Sequence, residues 1–80
     1  MKIGFIGCGN MARAMINGML KKGFPKEEII ASAKSEKTLS YISDELGVTA
    51  EDVNANVAKN ADIVIIAVKP VYMEKVINEI

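Results

Sequence analysis

Six consecutive apolar residues, Ile63-Val64-Ile65-Ile66-Ala67-Val68, follow Asp62 and stop at Lys69-Pro70. Most are β-branched, which suits a pleated strand. A strand with no polar alternation has no face to give to water, so it belongs in a sheet covered on both sides, as parallel sheets are. The rest of the chain supplies the covers. Lys2 to Ile6 is a short apolar run ended by glycine and predicts a buried strand. From Met11 the period changes to that of a helix: Ala12, Met15, Ile16 and Met19 share one face, Gly23 caps the end and Pro25 prevents resumption. Ile29-Ile30-Ala31-Ser32 predicts a second strand. Ser35 is placed to cap a helix with core face Leu39, Ile42 and Leu46, ended by Gly47. Val48-Thr49 has room only for a very short third strand. Val53 to Asn60 reads as a short helix, and Val71 to Ile80 as another, with Tyr72, Val76 and Ile80 at spacing four.

The order is β-α-β-α-β-α-β-α. Such alternation implies a parallel sheet with helices on both faces, an α/β chain of the Rossmann-like type. Four strands are fewer than the roughly six of a complete doubly wound nucleotide domain. The expectation is therefore that residues 1–80 form the N-terminal part of something longer, truncated to about four strands.

Composition narrows the function. Ten basic and ten acidic residues cancel, so no basic face points to nucleic acid. With no histidine, Ser-His-Asp and Cys-His nucleophile systems are excluded within the chain, and the commonest metal ligand is missing. A single cysteine, Cys8, makes neither an internal disulfide nor a thiolate cluster; no metal is expected, and a reduced, cytoplasmic setting fits best. Asn10, Arg13 and Asn17 interrupt the apolar N-terminal stretch, which argues against a signal peptide and against a membrane span.

The residues Gly7-Cys8-Gly9-Asn10-Met11-Ala12 match G-x-G-x-x-G/A, between a predicted strand and a predicted helix. Gly7 permits the turn. Gly9 leaves the backbone bare for a pyrophosphate, and Ala12 lets the helix lie close to the sheet. Amides at the helix start then face the phosphate, favoured by the helix dipole. The alternative is a glycine turn without ligand. Cys8 takes a variable position in the motif; a small filler fits it better than a reactive thiol, because no base is near in sequence.

Domains that select NAD place an acidic residue at the end of the second strand. Glu27 and Glu28 precede Ile29–Ser32 and so lie at its wrong end. The carboxyl end instead carries Ser32, Ala33, Lys34 and Ser35, two hydroxyls and an ammonium that would attract a 2′-phosphate. NADP(H) is accordingly expected over NAD. The alternative is a strand end, a loop charge and a helix cap. Ala67-Val68-Lys69-Pro70 follows the last strand and lies on the same edge, where open α/β sheets bind ligands. It either lines the cofactor on its way to the nicotinamide or merely starts a helix with a solvent lysine.

The combination of "GFIGCGNMA", Gly18 in the first helix and "ADIVIIAVKP" resembles the pyrroline-5-carboxylate reductase family over nearly the whole chain. The resemblance implies an NADPH-binding domain followed by a helical dimerisation and substrate domain, which is absent from this chain, and a homo-oligomeric parent. It implies hydride transfer from NADPH to the C=N carbon of 1-pyrroline-5-carboxylate, giving L-proline, the last step of proline biosynthesis. By the same resemblance Ile6, Gly7, Cys8, Gly9, Asn10 and Met11 would bind the pyrophosphate. Ser32, Lys34 and Ser35 would surround the 2′-phosphate, Asn54 would contact the cofactor, and Ala67, Val68, Lys69 and Pro70 would contact ribose and nicotinamide. No catalytic acid is assigned: Tyr41, Tyr72, Asp44 and Asp62 each have an ordinary structural alternative. Other readings are a different NAD(P)-dependent oxidoreductase of small acids, a nucleotide-sensing module without turnover, and a nonbinding relative.

Overall fold

The computed structural model describes residues 1–80. It runs β1 (Ile3–Ile6), α1 (Asn10–Lys21), β2 (Ile29–Ser32), α2 (Glu36–Ser40), β3 (Thr49–Glu51), α3 (Asn54–Asn60), β4 (Ile63–Ile66) and α4 (Pro70–Glu79). A 3₁₀ turn, Lys26–Glu28, precedes β2, and α2 continues as a π-helical turn over Tyr41–Leu46. All strands are parallel, in the order β3-β2-β1-β4. This is the Rossmann-like α/β arrangement that the alternating periods predict.

Strand alternation divides the core in two, because successive side chains leave opposite faces of a sheet. Phe5, Ile29 and Ala31 point to one face and pack with Ala12 and Ile16 of α1 and with Ile42, Leu46 and Val48. Ile6 and Ile30 point to the other and pack with Val57 of α3 and Val76 of α4. Helices therefore cover both faces. α1 ends where Gly23 was expected to end it: the Gly23 and Phe24 amides donate back to the carbonyls of Leu20 and Met19. Ser35 caps α2, its hydroxyl accepting from the Thr38 amide at 3.1 Å.

Several expectations are corrected. β4 has four residues rather than six, and it is not covered on both faces: Ile63 is exposed and Val64 to Ile66 are half-buried. Its only sheet neighbour is β1, so it is an edge strand here, and an apolar run long enough for a central strand takes an outer place. β3 lies one residue later than Val48-Thr49, because Val48 turns into the core instead of pairing. The second helix widens after Ser40, with Gly47 and Val48 both donating to the Ile42 carbonyl. On α4 only Val76 of the spacing-four stripe is buried; Tyr72 is exposed and Ile80 nearly half-exposed.

The position of α4 explains that last difference. It starts beside β4 and ends at Glu79, which contacts Lys34 just beyond β2. A ten-residue helix spans about 15 Å, and the two strand spacings from β4 to β2 cover about 10 Å. α4 thus crosses the carboxyl edge of the sheet above β1. No helix is long and apolar enough to cross a membrane.

Candidate cofactor site at the carboxyl edge

β1 leaves the sheet through Gly7 at φ +90°, a region closed to most side chains. A Cβ at Gly7 would stand 2.8 Å from the Ala67 carbonyl oxygen and 2.9 Å from Val68 Cγ1. The glycine turn and the loop after β4 are therefore in direct contact, and the Ala67 amide donates to the Ile6 carbonyl at 2.8 Å. Gly9 differs. Its backbone is extended, at φ −83° and ψ −167°, which any residue adopts, and a Cβ there would meet nothing within 4 Å. Neither strain nor packing requires glycine at position 9.

Gly9 is the N-cap of α1 and gives its amides no side-chain acceptor. The first intrahelical bond runs from the Arg13 amide to the Gly9 carbonyl, and the amides of Asn10, Met11 and Ala12 have no partner. No acidic residue stands in the first turn. A helix start of this kind carries roughly half a positive charge, uncompensated by the protein. Arg13 Nε donates to the Cys8 carbonyl at 3.2 Å, and its guanidinium lies 4.2 Å from the Tyr41 ring centroid, which holds the turn against the π turn after α2. Cys8 is buried; that burial pushes its thiol up, with the charge of Arg13 and then its hydrogen bond opposing. A protonated, enclosed thiol is a filler, as the sequence favours.

Beside the turn lies a cleft of about 460 Å³, within the range of small-molecule and cofactor sites. Of the residues singled out in the sequence, Ile6, Gly7, Cys8 and Val68 line it from β1 and the β4 loop. Ser32, Lys34, Ser35 and Asn54 line it from the β2 side. Gly9, Asn10, Met11, Ala67, Lys69 and Pro70 lie on the same edge of the sheet but line no part of this cleft.

Ser32 turns out to be a pivot. It is 1% exposed, accepts from the Gly7 amide at 3.0 Å and donates to Asn54 Oδ1 at 2.7 Å. Both its donor and one acceptor site are used inside the protein, so it fixes the glycine turn against α3. Asn54 continues the chain, its Nδ2 donating to Glu79 Oε2 at 2.8 Å, and Glu79 Oε1 lies 3.7 Å from Lys34 Nζ. Asp62 does what its ordinary reading required, accepting from the Lys2 amide at the start of β1. Glu28 binds the N-terminal amine at the far end of β2, away from the cleft.

Ala33, inside the Ser32–Ser35 stretch singled out in the sequence, also lines the cleft; the sequence reading missed Thr38, Tyr72, Lys75, Val76 and Glu79. The α4 members follow one helical face, and a period centred on Val76 that admitted Lys75 and Glu79 would have found them. No group of three or more metal-ligating side chains occurs.

Residues 2–80 match the family described as NADP oxidoreductase coenzyme F420-dependent. A pyrroline-5-carboxylate reductase of Vibrio alginolyticus is 39% identical over 75 residues, which cover 94% of this chain and 28% of that protein. A solved pyrroline-5-carboxylate reductase from Coxiella burnetii superposes with a TM-score of 0.89 at 36% identity, over 94% of this chain and 28% of its own. That of Plasmodium falciparum, solved with NADP bound, gives 0.81 at 28% identity, over 99% of this chain and 28% of its own. The chain thus spans under a third of the length of the relatives it matches.

Proposed function

The chain belongs to the NADP oxidoreductase coenzyme F420-dependent family, and from that premise we propose that it is the NADP(H)-binding part of a pyrroline-5-carboxylate reductase. One observation carries the reading. Gly9 lacks a side chain where the protein itself would accept one, next to three unpartnered amides at the start of α1. Bare backbone that serves nothing inside the molecule fits a ligand outside it, and an anion is what a helix start receives.

When bound, NADPH supplies the hydride that reduces the C=N carbon of 1-pyrroline-5-carboxylate to L-proline; the protein's part is to bind, orient and exclude competing reactions. The amides of Asn10, Met11 and Ala12, reached past Gly9, hold the pyrophosphate. Ile6, Gly7 and Cys8 form the floor. Lys34, with Ser35 beside it, pairs with the 2′-phosphate, and Ser32 and Asn54 keep that end of the cleft in shape. Ala67, Val68, Lys69 and Pro70, in contact with the glycine turn through Gly7, carry the cofactor toward the nicotinamide end. Residues 1–80 make up the N-terminal part of the enzyme. A helical domain of the parent protein completes the substrate pocket and the homo-oligomer, and the enzyme works in the cytoplasm. No catalytic acid is assigned within the chain.

The test is a fluorescence titration of the chain with NADPH, comparing wild type with Gly9→Ala. Gly9→Ala should lose at least about tenfold in affinity, the cost of one obstructed charge-assisted contact. Its urea midpoint should move only a little, because the added Cβ meets no protein atom and only the N-cap preference for glycine over alanine is lost. Equal affinity in the two proteins would remove the pyrophosphate from this turn.

A further inference from the structure

The cofactor cleft holds a carboxylate that the end of β2 does not supply. Glu79, from α4, reaches across the sheet edge to Asn54 Nδ2 at 2.8 Å and to Lys34 Nζ at 3.7 Å. Lys34 is the ammonium placed to meet a 2′-phosphate, and its partner is already an anion. Lys75, one turn before Glu79 on α4, lines the same cleft without an ion pair. Two ammonium groups and one carboxylate thus line the cleft, with only Lys34 paired to the carboxylate.

From this juxtaposition we infer that Glu79 is a specificity-determining residue, setting the choice of the cleft between an adenosine ribose bearing a 2′-phosphate and one bearing a 2′-hydroxyl. The inference rests on the cofactor reading above and deepens it. A carboxylate accepts a hydrogen bond from a 2′-hydroxyl, which is how an acidic residue selects NAD in folds of this class. The same carboxylate repels a phosphate dianion and competes with it for Lys34. Here the acidic group comes from the helix after β4 instead of the second strand. The Lys34 and Glu79 side chains are 70% and 32% exposed, so their pair is weak enough to be opened by a ligand. In wild type the phosphate binds after displacing Glu79, and part of its affinity is spent on that displacement.

The probes are the adenosine halves alone: 2′,5′-ADP, which carries the 2′-phosphate, and 5′-AMP, which carries the hydroxyl. Both are titrated into the whole chain and into its Glu79→Gln variant by calorimetry or NMR. Glutamine keeps the bond to Asn54 available and removes the charge. The ratio of 2′,5′-ADP to 5′-AMP affinity should rise about fivefold, the scale of one exposed ion pair. The Asn54 side-chain amide signal should shift on 2′,5′-ADP binding in wild type and less in the variant. An unchanged ratio with both nucleotides still bound would overturn the role of Glu79 and leave the cofactor reading standing. Binding of neither nucleotide by either protein would overturn both.

Discussion

Two strand-to-helix junctions meet at the carboxyl edge of this sheet, and they are built in opposite ways. The first, Gly7 to Gly9 into α1, is made of main chain: a positive φ, an extended N-cap and a helix fixed by Ala12 and Ile16, both fully buried. The second, Ala67 to Lys69 into α4, is tied to β1 by one main-chain bond, from the Ala67 amide to the Ile6 carbonyl, and beyond that bond it rests on side chains. Pro70 starts the helix, Val76 alone is buried, and the far end is tied by Asn54 and Lys34 to Glu79. The first junction can hold a ligand without moving, because its donors are fixed by backbone and core. The second sits on partly exposed polar contacts worth on the order of 1 kcal/mol each, so its position answers to whatever enters the cleft.

The largest test of that contrast is Gly7→Ala. The left-handed conformation costs an alanine roughly 1–2 kcal/mol, and its Cβ would press the Ala67 carbonyl, which cannot swing aside as a side chain could. A loss of about 3 kcal/mol in urea unfolding is expected. A loss below about 1 kcal/mol would mean that the two junctions separate freely and that the first is not rigid. A second test, read as a difference between two variants, separates the two helices. Ile16→Ala in α1 should cost about 2–4 kcal/mol. Val76→Ala in α4 should cost only about 1 kcal/mol, the lower end for two buried methyl groups in a helix with no other buried residue. Equal losses would place α4 in the cooperative core and break the comparison.

The same contrast decides what could be read from sequence. The strands, their parallel order of appearance and the glycine turn follow from local rules: apolar runs, changes of period, a positive φ that selects Gly7, a hydroxyl at Ser35 that caps α2. Those rules act over a few residues and are written in them. The edge position of β4 is not so written, since Ile63 to Ile66 would look the same with a neighbour on either side. Neither is the second half of the site. Ser32 looks like a free hydroxyl at a strand end, and only the fold brings the Gly7 amide and Asn54 to it, 25 and 22 residues away in sequence. Glu79 looks like an ordinary polar residue near the end of a helix. Its place opposite Lys34 depends on α4 crossing the edge, which no period records.

The smallest expected effect concerns α3, which carries Asn54 between the two junctions. Val53, its N-cap, has no hydrogen-bonding side chain, and Glu51 substitutes: Oε1 accepts from Asn56 Nδ2 at 3.3 Å and from the amides of Val53 and Asp52 at 3.2 and 3.1 Å. These bonds, that from Asn56 foremost, hold the Glu51 carboxyl below its ordinary value of 4.5. A carboxyl lowered on folding stabilises the fold above its unfolded pKa and loses that contribution as the pH falls through its folded pKa. Acidification below about pH 4.5 should therefore loosen the start of α3. In NMR spectra the Val53 amide and the Asn54 and Asn56 side-chain amides should drift, while the Gly9 and Arg13 amides stay still. Glu51→Gln should remove most of the drift at Val53 and Asn56. If Gly9 and Arg13 moved in step with Asn54, the glycine turn would share the softness of the α4 junction, and the division between a backbone-built and a side-chain-built half of the site would fail.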